Sequence, residues 1–377
     1  MKRRVPFVDP AKNYLMIKDE IDAAYFEIMS KGDLINRHQL SDFEENLAKF
    51  VGTKYAVGVN SGYDALHLSL RAAGIGAGDE VIVPAHTFVA SCSAIVNVGA
   101  TPVLVDVTKD FNIDCDLIEP AITEKTKAIM AVHLSGYMAD MPNVMKIAEK
   151  YNLVVVEDAC QSLGSSIEVD GVEKYAGSFG LTGCWSFYPF KILGGYGDGG
   201  AITTNDEEVA TFVTRMRYNG EDRETGEYHG HGFTCLLDNI QAAWLDIKLR
   251  HLPSWIVRRK EIADRYLQEL GDIPDLLLPH YDKPGFDHIY QNYTLRSKQG
   301  DEFSEYLKEN GVEVLTQFRK PYYKHEGLKL GDLNALEGKF PETEALSREV
   351  CSLPMNVEIS DEEIDYVIEV VKSFYNK

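Results

Sequence analysis

Short apolar segments alternate with amphipathic helical patterns along the first 204 residues. The segments are Val57–Val59, Glu80–Pro84, Thr101–Val107, Lys127–His133, Leu153–Glu157, Gly183–Phe187 and Gly200–Thr204. Between two of them, Val144, Ile147, Ala148 and Tyr151 fall on one face of a helix that begins near Asp140. Repeated strand, crossover helix and strand predict an α/β fold, with a mostly parallel sheet covered by helices on both faces.

The last third of the chain has a different pattern. It predicts a helix from about Pro253 to Leu270, strands at Ile289–Arg296 and Val312–Phe318, and a final helix with a capping box of Ser360 and Glu363. A chain of 377 residues is long enough for two domains. We therefore expect a large domain over residues 1–250 and a smaller C-terminal α+β domain over residues 251–377.

Charge and cysteine usage exclude several classes of protein. The formal net charge of −21 disfavours binding to nucleic acid or to anionic membranes. The six cysteines lie far apart and form neither a CxxC motif nor a Cys/His cluster, so we expect no metal site and no disulfide framework. No signal peptide and no membrane-length apolar run is recognisable. We expect a cytoplasmic protein.

One lysine stands at an unusual place in the pattern. Lys191 follows a predicted strand and precedes five glycines within seven residues, Gly194–Gly200. A lysine held away from bulk water there would have a lowered pKa and could attack a carbonyl carbon. The alternative is a surface lysine at a glycine-rich turn, and this segment alone does not decide between the two.

Two carboxylates, Glu157 and Asp158, end a fully apolar strand. In open α/β sheets, ligands bind outside the carboxyl ends of the strands, where an acid can pair with a cationic nitrogen. The alternative for Asp158 is a helix N-cap. The sequence pattern does not say which of the two carboxylates would face a ligand.

Two further strand-to-helix junctions are candidate ligand contacts. At Asn60–Leu66, free backbone N–H groups at a helix N-terminus would suit a phosphate, although a plain turn is the simpler interpretation. At Pro84–Phe88, Phe88 would either lie flat on a ring or belong to the core. The sequence pattern is typical of a pocket for pyridoxal phosphate. Successive strand ends carry a phosphate seat (the free N–H groups of a helix start), an aromatic ring that could stack on the cofactor, an acid and a lysine.

The chain resembles the sugar aminotransferases of the DegT/DnrJ/EryC1/StrS group over nearly its whole length. The most specific motifs are Glu157–Gly164, Ser186–Lys191 and Gly197–Gly200, supported by Gly78–Pro84, Gly99–Val103 and Asp238–Ala243. The resemblance implies a fold type I enzyme that uses pyridoxal 5′-phosphate. It also implies transfer of an amino group from glutamate or glutamine to a nucleotide-linked keto-sugar, and a homodimer with its active sites at the subunit interface.

The resemblance also implies roles for individual residues. Lys191 matches the lysine that bonds to the cofactor and later moves the proton, and Asp158 matches the acid that holds the ring nitrogen protonated. The remaining matches are cofactor contacts at the ring and the phosphate, and they comprise Gln161, Phe88, Gly62, Tyr63 and Ser186. Tyr188 and Tyr322 are candidate sugar contacts.

Three departures from the family pattern concern the phosphate and the sugar. Tyr63 replaces the usual threonine, which leaves a backbone contact in place of a hydroxyl contact. Thr234–Leu236 replaces the Asn-x-Arg element that reaches the phosphate of the neighbouring subunit, and Gln317 and Phe318 replace a His-Tyr pair. The polar segment Glu221–Gly232 is either a subunit-crossing segment or a solvated loop.

Three alternative functions stay open at this point. A dehydratase of the same family would carry a histidine in place of Lys191. A nicotinamide-dependent enzyme would carry G-x-G-x-x-G after its first strand, whereas Gly74–Gly78 lies between a helix and a strand. A non-catalytic regulator would bind pyridoxal phosphate without turning over an amino donor.

Overall fold

A seven-stranded sheet forms the centre of the larger part of the molecule. The computed structural model describes residues 4–281, 283–328, 336 and 338–376. The strands in chain order are β1 (Tyr55–Val59), β2 (Glu80–Pro84), β3 (Thr101–Val105), β4 (Thr126–Val132), β5 (Val154–Asp158), β6 (Ser166–Val169), β7 (Val172–Tyr175), β8 (Thr182–Ser186), β9 (Gly200–Thr204), β10 (Leu276–Leu277), β11 (Phe286–Asp287), β12 (Tyr293–Ser297) and β13 (Val350–Leu353).

Helices connect the strands of this sheet and also cover the smaller C-terminal sheet. They are α1 (Pro10–Met16), α2 (Lys18–Lys31), α3 (His38–Val51), α4 (Gly62–Ala72), α5 (Val89–Asn97), α6 (Ile118–Ala121), α7 (Met141–Tyr151), α8 (Glu207–Met216), α9 (Asn239–Leu270), α10 (Gly300–Glu309), α11 (Pro341–Glu349) and α12 (Asp361–Tyr375). Single turns of 3₁₀ helix lie at Cys115–Leu117, Tyr322–Lys324 and Glu326–Leu328. Among the described helices, none is long and apolar enough to cross a membrane.

The order of strands in the large sheet is β1-β9-β8-β5-β4-β2-β3. Strands β8, β5, β4, β2 and β3 pair in parallel, whereas β9 is antiparallel to both β8 and β1. The predicted mostly parallel sheet is therefore confirmed, with β9 as its reversed strand.

The pleat of β4 shows how the sheet is covered on both faces. Its residues are buried alternately in two clusters: Ile129 and Ala131 pack into one, and Ala128 and Met130 into the other. A strand buried on both faces needs a continuous apolar run rather than an alternating one. The sequence of β4 contains such a continuous run. Burial of a side chain such as Ile129 contributes about 1.5–3 kcal/mol.

The long helix α9 begins 14 residues before the predicted start at Pro253, so the predicted boundary was wrong. Proline at a helix start is common, but Pro253 lies inside α9. An interior proline costs about 3 kcal/mol through a lost hydrogen bond and a clash. Buried Leu245, Leu249, Leu252 and Trp255 offset that cost by packing the helix on both sides of the proline.

The C-terminal part of the chain has a three-stranded sheet of order β10-β12-β13 and its own apolar cluster. The predicted strand at Ile289 begins only at Tyr293, because the preceding residues bond to the large sheet's loops instead. The predicted strand at Val312–Phe318 was wrong: Val312 and Leu315 form only isolated bridges, to Val5 and Ser352. The predicted capping box of Ser360 and Glu363 is present at α12.

Candidate active site

The carboxyl ends of β1, β5 and β8 meet at one edge of the sheet, where the loop before β9 returns. Asp158 in β5 pairs with Cys184 in β8, two residues before Ser186. Gly200, the first residue of β9, lies between Ser186 and Val59 in the sheet. Segments separated by more than a hundred residues in sequence are thus neighbours at this edge.

The N-terminus of α4 has two backbone N–H groups available to a ligand. Ser61 caps the helix: its Oγ accepts from Asp64 N at 3.1 Å, and its carbonyl accepts from Ala65 N at 3.1 Å. Of the first four helical N–H groups, those of Gly62 and Tyr63 remain without a protein acceptor among the described residues. This is the arrangement of a phosphate seat.

Gly62 is needed where it stands, because the backbone here approaches two neighbours closely. A Cβ on Gly62 would lie 2.7 Å from Ser186 Cβ and 2.9 Å from Cys160 Sγ. The helix start, the end of β8 and the turn after Asp158 therefore share one small space. The side chain of Tyr63 points elsewhere, since its hydroxyl accepts from Asn97 Nδ2 at 2.6 Å.

Asp158 belongs to this space and is held by hydroxyl groups. Ser91 Oγ donates to Asp158 Oδ2 at 2.7 Å, and Thr87 Oγ1 lies 2.8 Å from Ser91 Oγ. Cys160 N donates to the other carboxylate oxygen at 3.3 Å. Asp158 as a whole residue is 6% exposed.

Glu157 points to the opposite face of β5 and has a structural role. It is fully buried and accepts backbone N–H groups from Gly177 at 2.8 Å, Phe179 at 2.8 Å and Gly180 at 2.7 Å. His133 Nε2 completes the set at 3.0 Å, and donates because its Nδ1 accepts from Ala139 N. The alternation of side chains along a strand thus places the two carboxylates on opposite faces, a distinction that the residue pattern alone did not make.

Lys191 lies in the loop between β8 and β9 and is only partly exposed. Burial lowers the pKa of Lys191, while the negative charge of Asp158 partly opposes that shift. A lowered pKa increases the fraction of neutral amine, which is the nucleophilic form. Burial also raises the pKa of Cys160 well above its usual range, so that this thiol stays protonated beside the lysine.

The remaining predicted ring contacts differ in exposure. Phe88 is 56% exposed at the N-terminal end of α5, and its ring centroid lies 6.3 Å from that of Phe318. It is therefore not a core residue in this structure. Gln161 is buried, and its Oε1 accepts from Ser135 N at 2.9 Å.

The two predicted sugar contacts lie in different environments. Tyr188 is 48% exposed, with its ring edge against Phe190. Tyr322 is 4% exposed and packs in an apolar cluster with Tyr323, so it offers little surface to a substrate. The sugar-contact role of both residues stays a prediction.

The residues at two family departures have protein partners. Thr234 Oγ1 donates to Asn219 Oδ1 at 3.0 Å, and Thr234 is exposed. Gln317 Oε1 accepts from Asn292 Nδ2 at 3.4 Å. Both hydrogen bonds involve neighbours that the sequence motifs do not include.

Sequence reasoning missed the hydroxyl pair Thr87 and Ser91. Thr87 lies two residues before α5 and Ser91 lies in the first turn of that helix, so helical spacing does not pair them. Their role is visible only once the start of α5 is known to meet the end of β5. The same is true of Gln291, which contacts the Lys191 loop from the C-terminal part of the chain.

The residues present fit pyridoxal phosphate. The free amides of Gly62 and Tyr63 suit its phosphate, and the close approach at Gly62 leaves room for no side chain there. The desolvated amine of Lys191 suits the aldehyde of the cofactor, and the neighbouring carboxylate of Asp158 suits its ring nitrogen.

Comparison with known proteins agrees with this geometry. The family model described as "DegT/DnrJ/EryC1/StrS aminotransferase family" matches residues 15–372. A pleiotropic regulatory protein of Geobacillus stearothermophilus is 38% identical over 373 residues, covering 98% of each chain. The dTDP-3-amino-3,4,6-trideoxy-alpha-D-glucose transaminase of Streptomyces venezuelae is 38% identical over 372 residues, covering 98% of this chain and 96% of its own.

A solved structure is similar over the same range. The crystal structure of S. venezuelae DesV in complex with a ketimine intermediate superposes with a TM-score of 0.92 at 38% identity, covering 99% of both chains. The likeness therefore extends to both parts of the molecule and is not confined to the large sheet.

Proposed function

The chain belongs to the DegT/DnrJ/EryC1/StrS aminotransferase family and is a pyridoxal-phosphate-dependent aminotransferase, and we propose that its amino acceptor is the ketone of a nucleotide-linked keto-deoxysugar. The proposed carrier is dTDP, UDP or GDP, the proposed donor is glutamate or glutamine, and the product would serve amino-sugar and surface-polysaccharide biosynthesis. In the net reaction, the donor's amino group and α-hydrogen move to the ketone carbon, and the ketone oxygen ends on the donor carbon.

One observation carries this proposal: Lys191 lines a small cavity with Cys160 and Ser186, the two residues that Gly62 at the start of α4 approaches closely. Asp158 accepts from Cys160 N at the same place. Bound there, pyridoxal phosphate would supply an electron-withdrawing ring. Asp158 would stabilise the proton on the ring nitrogen, because a nearby negative charge favours a cationic group. Its two hydrogen-bond donors, Ser91 Oγ and Cys160 N, fix the carboxylate for that role.

The other residues of the site would bind and orient. Gly62 and Tyr63 N–H groups, with the Ser186 hydroxyl, would hold the phosphate, and Phe88 would cover one face of the ring. The neutral amine of Lys191 would take the proton from the donor's α-carbon and return one to the sugar carbon that receives nitrogen. The lowered pKa of Lys191 supports this assignment.

The first test is the visible spectrum of the purified protein before and after addition of glutamate. We expect a yellow band that bleaches with glutamate or glutamine and returns with a nucleotide-linked keto-sugar. Lys191→Ala should fold normally and lose both the response and turnover, whereas a matched change of a surface lysine, Lys146→Ala, should retain both. Measurable turnover by Lys191→Ala would contradict the assignment.

The same experiment separates the proposal from a non-catalytic regulator, a possibility to which the printed name of the Geobacillus relative draws attention. A regulator would bind the cofactor and show no cycling with amino donor and keto-sugar. The desolvated Lys191 next to Asp158 supports the enzyme, since catalytic groups with shifted pKa values cluster at active sites.

A homodimer in the cytoplasm is the second part of the proposal. Large apolar side chains are exposed next to Lys191 and on the segment after α8, including Phe190, Tyr228 and Phe233. Exposed apolar groups of this kind support a subunit interface there, and the free cysteines of the described chain support a reducing compartment. Light scattering that gave the mass of a single chain would contradict the dimer.

The proposed division into a large domain of residues 1–250 and a small domain of residues 251–377 falls inside α9. It is supported by an apolar cluster that, apart from Val5, contains only residues of the C-terminal part, among them Tyr266, Leu295 and Val367. Tyr322 and Phe340 lie outside that cluster and pack against the large sheet instead. On this proposal, α9 links the two domains as a continuous helix. Expression of residues 251–377 alone and measurement of its unfolding would test whether it folds independently.

A further inference from the structure

The loop that carries Lys191 has few hydrogen bonds of its own. Lys191 N donates to Tyr188 O at 2.8 Å, and Gly195 N donates to Phe187 O at 2.8 Å. The loop contains several glycines, whose backbone freedom is large. The backbone groups on either side of Lys191 therefore depend on partners from elsewhere in the molecule.

Gln291 provides both of those partners. Its Oε1 accepts from Ile192 N at 2.7 Å, and its Nε2 donates to Phe190 O at 3.1 Å. The two hydrogen bonds hold the residue before and the residue after Lys191. Gln291 is 5% exposed, so little water competes for them.

The backbone of Gln291 is itself held from two sides. Arg259 Nη1, on the buried face of α9, donates to Tyr290 O at 2.9 Å and to Gln291 O at 3.2 Å. On the other side, a Cβ on Gly136 would lie only 2.5 Å from Gln291 N. Gln291 is therefore a fixed support and not a mobile surface group.

The same segment reaches a second predicted cofactor contact. Asn292 N donates to Ser135 O at 3.4 Å, and Ser135 N donates to Gln161 Oε1 at 2.9 Å. Residues 291 and 292 thus lie one hydrogen bond from the Lys191 loop and two from Gln161. A single short segment before β12 connects the lysine and the glutamine.

We propose that Gln291 is a positioning residue that fixes the direction in which the side chain of Lys191 extends from its Cα. We also propose that residues 290–292 fix the position of Lys191 relative to Gln161. This inference rests on the proposed function of Lys191. A lysine has a long flexible side chain, so its amine reaches a fixed point only when its Cα is fixed. Proton transfer is sensitive to such placement, and an error of about 1 Å costs on the order of a hundredfold in rate.

The test compares Gln291→Met, which keeps the size of the side chain and loses both hydrogen bonds, with Ser297→Ala. Ser297 is buried at the end of β12, the strand that follows Gln291, and its Oγ lies 2.7 Å from Tyr375 Oη, which is outside the Lys191 loop. Gln291→Glu is the second variant, because it keeps the acceptor for Ile192 N and loses the donor to Phe190 O. It tests the inference if the methionine variant does not fold.

Hydrogen exchange in the cofactor-free protein measures the support directly. In Gln291→Met, the amide of Ile192 should exchange roughly tenfold faster or more, because its acceptor is lost. In Gln291→Glu, the protection of Ile192 should be largely kept. Ser297→Ala should match the wild type over residues 188–196.

Two measurements then separate positioning from a general loss of structure. With pyridoxal phosphate bound, Gln291→Met should show weaker visible circular dichroism per bound cofactor, and kcat should fall about ten- to a hundredfold with KM nearly unchanged. Wild-type exchange, dichroism and kcat in Gln291→Met would overturn the inference, as would an equal loss in Ser297→Ala. A wild-type protein that does not bind pyridoxal phosphate covalently would instead overturn the proposed function.

Discussion

Replacing Glu157 by glutamine should destabilise the protein and leave its chemistry intact. The carboxylate accepts four hydrogen bonds, two at each oxygen, from three backbone N–H groups and His133. A carboxamide has one acceptor oxygen, so its NH₂ group must face one pair of donors. Two hydrogen bonds to a charged group are lost at about 1.5–3 kcal/mol each, which predicts roughly 3–6 kcal/mol.

That loss is large enough to measure by thermal unfolding. A unit of about 250 residues loses roughly 2 °C in Tm per kcal/mol, so Glu157→Gln should unfold about 6–12 °C below the wild type. His133 does not rescue the variant by changing tautomer, because its Nδ1 would then carry a proton facing Ala139 N–H. The assay is circular dichroism of the cofactor-free protein during heating.

The matched variant is Asp158→Asn, one residue further along the same strand. In the proposed function, the charge of Asp158 stabilises the proton on the ring nitrogen of the cofactor. Asp158→Asn should therefore unfold near the wild-type temperature and lose turnover by roughly a hundredfold or more. Glu157→Gln should keep wild-type turnover per folded molecule. The reasoning is refuted if Glu157→Gln melts within about 2 °C of the wild type, or if both variants lose the same property.

Three further changes test single contacts. Gly62→Ala places a Cβ 2.7 Å from Ser186 Cβ and should weaken pyridoxal phosphate binding roughly tenfold or more by fluorescence titration. Tyr63→Phe removes a hydroxyl that bonds to Asn97, so cofactor affinity should stay within about twofold of the wild type. Burial lowers the pKa of Lys248 from 10.5 to about 8. The unfolded chain then binds the extra proton between these values, so stability should rise with pH by about 3 kcal/mol across that window, and chemical denaturation of Lys248→Met should show no such rise.

The large sheet was predictable because its strands carry strong local signals. β2 and β9 occupy the predicted residues, and α7 begins after the predicted Asp140. These elements combine an apolar run or stripe with a turn or cap at each end, so local sequence and tertiary packing agree. The mostly parallel arrangement follows from the crossover helices between the strands.

The predicted helix and strand boundaries that were wrong are those set by contacts between residues distant in sequence. Pro253 is compatible with a helix start, and only the packing of α9 on both sides of it shows that the helix continues. The segment before Tyr293 has a strand-like sequence, yet Ile289 N donates to Gly136 O instead of joining the small sheet. Neither contact leaves a local sequence signal.

The candidate site divides in the same way. Lys191, Asp158, Phe88 and the helix start at Gly62 were candidates from residue type and position at strand ends. The resemblance gave them predicted roles and added Gln161 and Ser186. Ser91, which donates to Asp158, lies 67 residues away in sequence, and Gln291, which bonds to both neighbours of Lys191, lies 100 residues from that lysine. Serine and glutamine are common residue types, so their role is visible only once the chain is folded.

The reversed strand β9 explains how the site can form at all. A parallel strand after β8 would need a crossover to the opposite edge of the sheet, which would draw the lysine loop away from the ends of β5 and β1. Because β9 is antiparallel to both β8 and β1, Gly200 pairs with Ser186 on one side and Val59 on the other. The loop of Lys191 therefore begins and ends at the edge that holds Asp158 and the proposed phosphate-binding N–H groups of α4. The glycine at position 200 is required by the same geometry, since a Cβ there would lie 2.3 Å from Ser61 O.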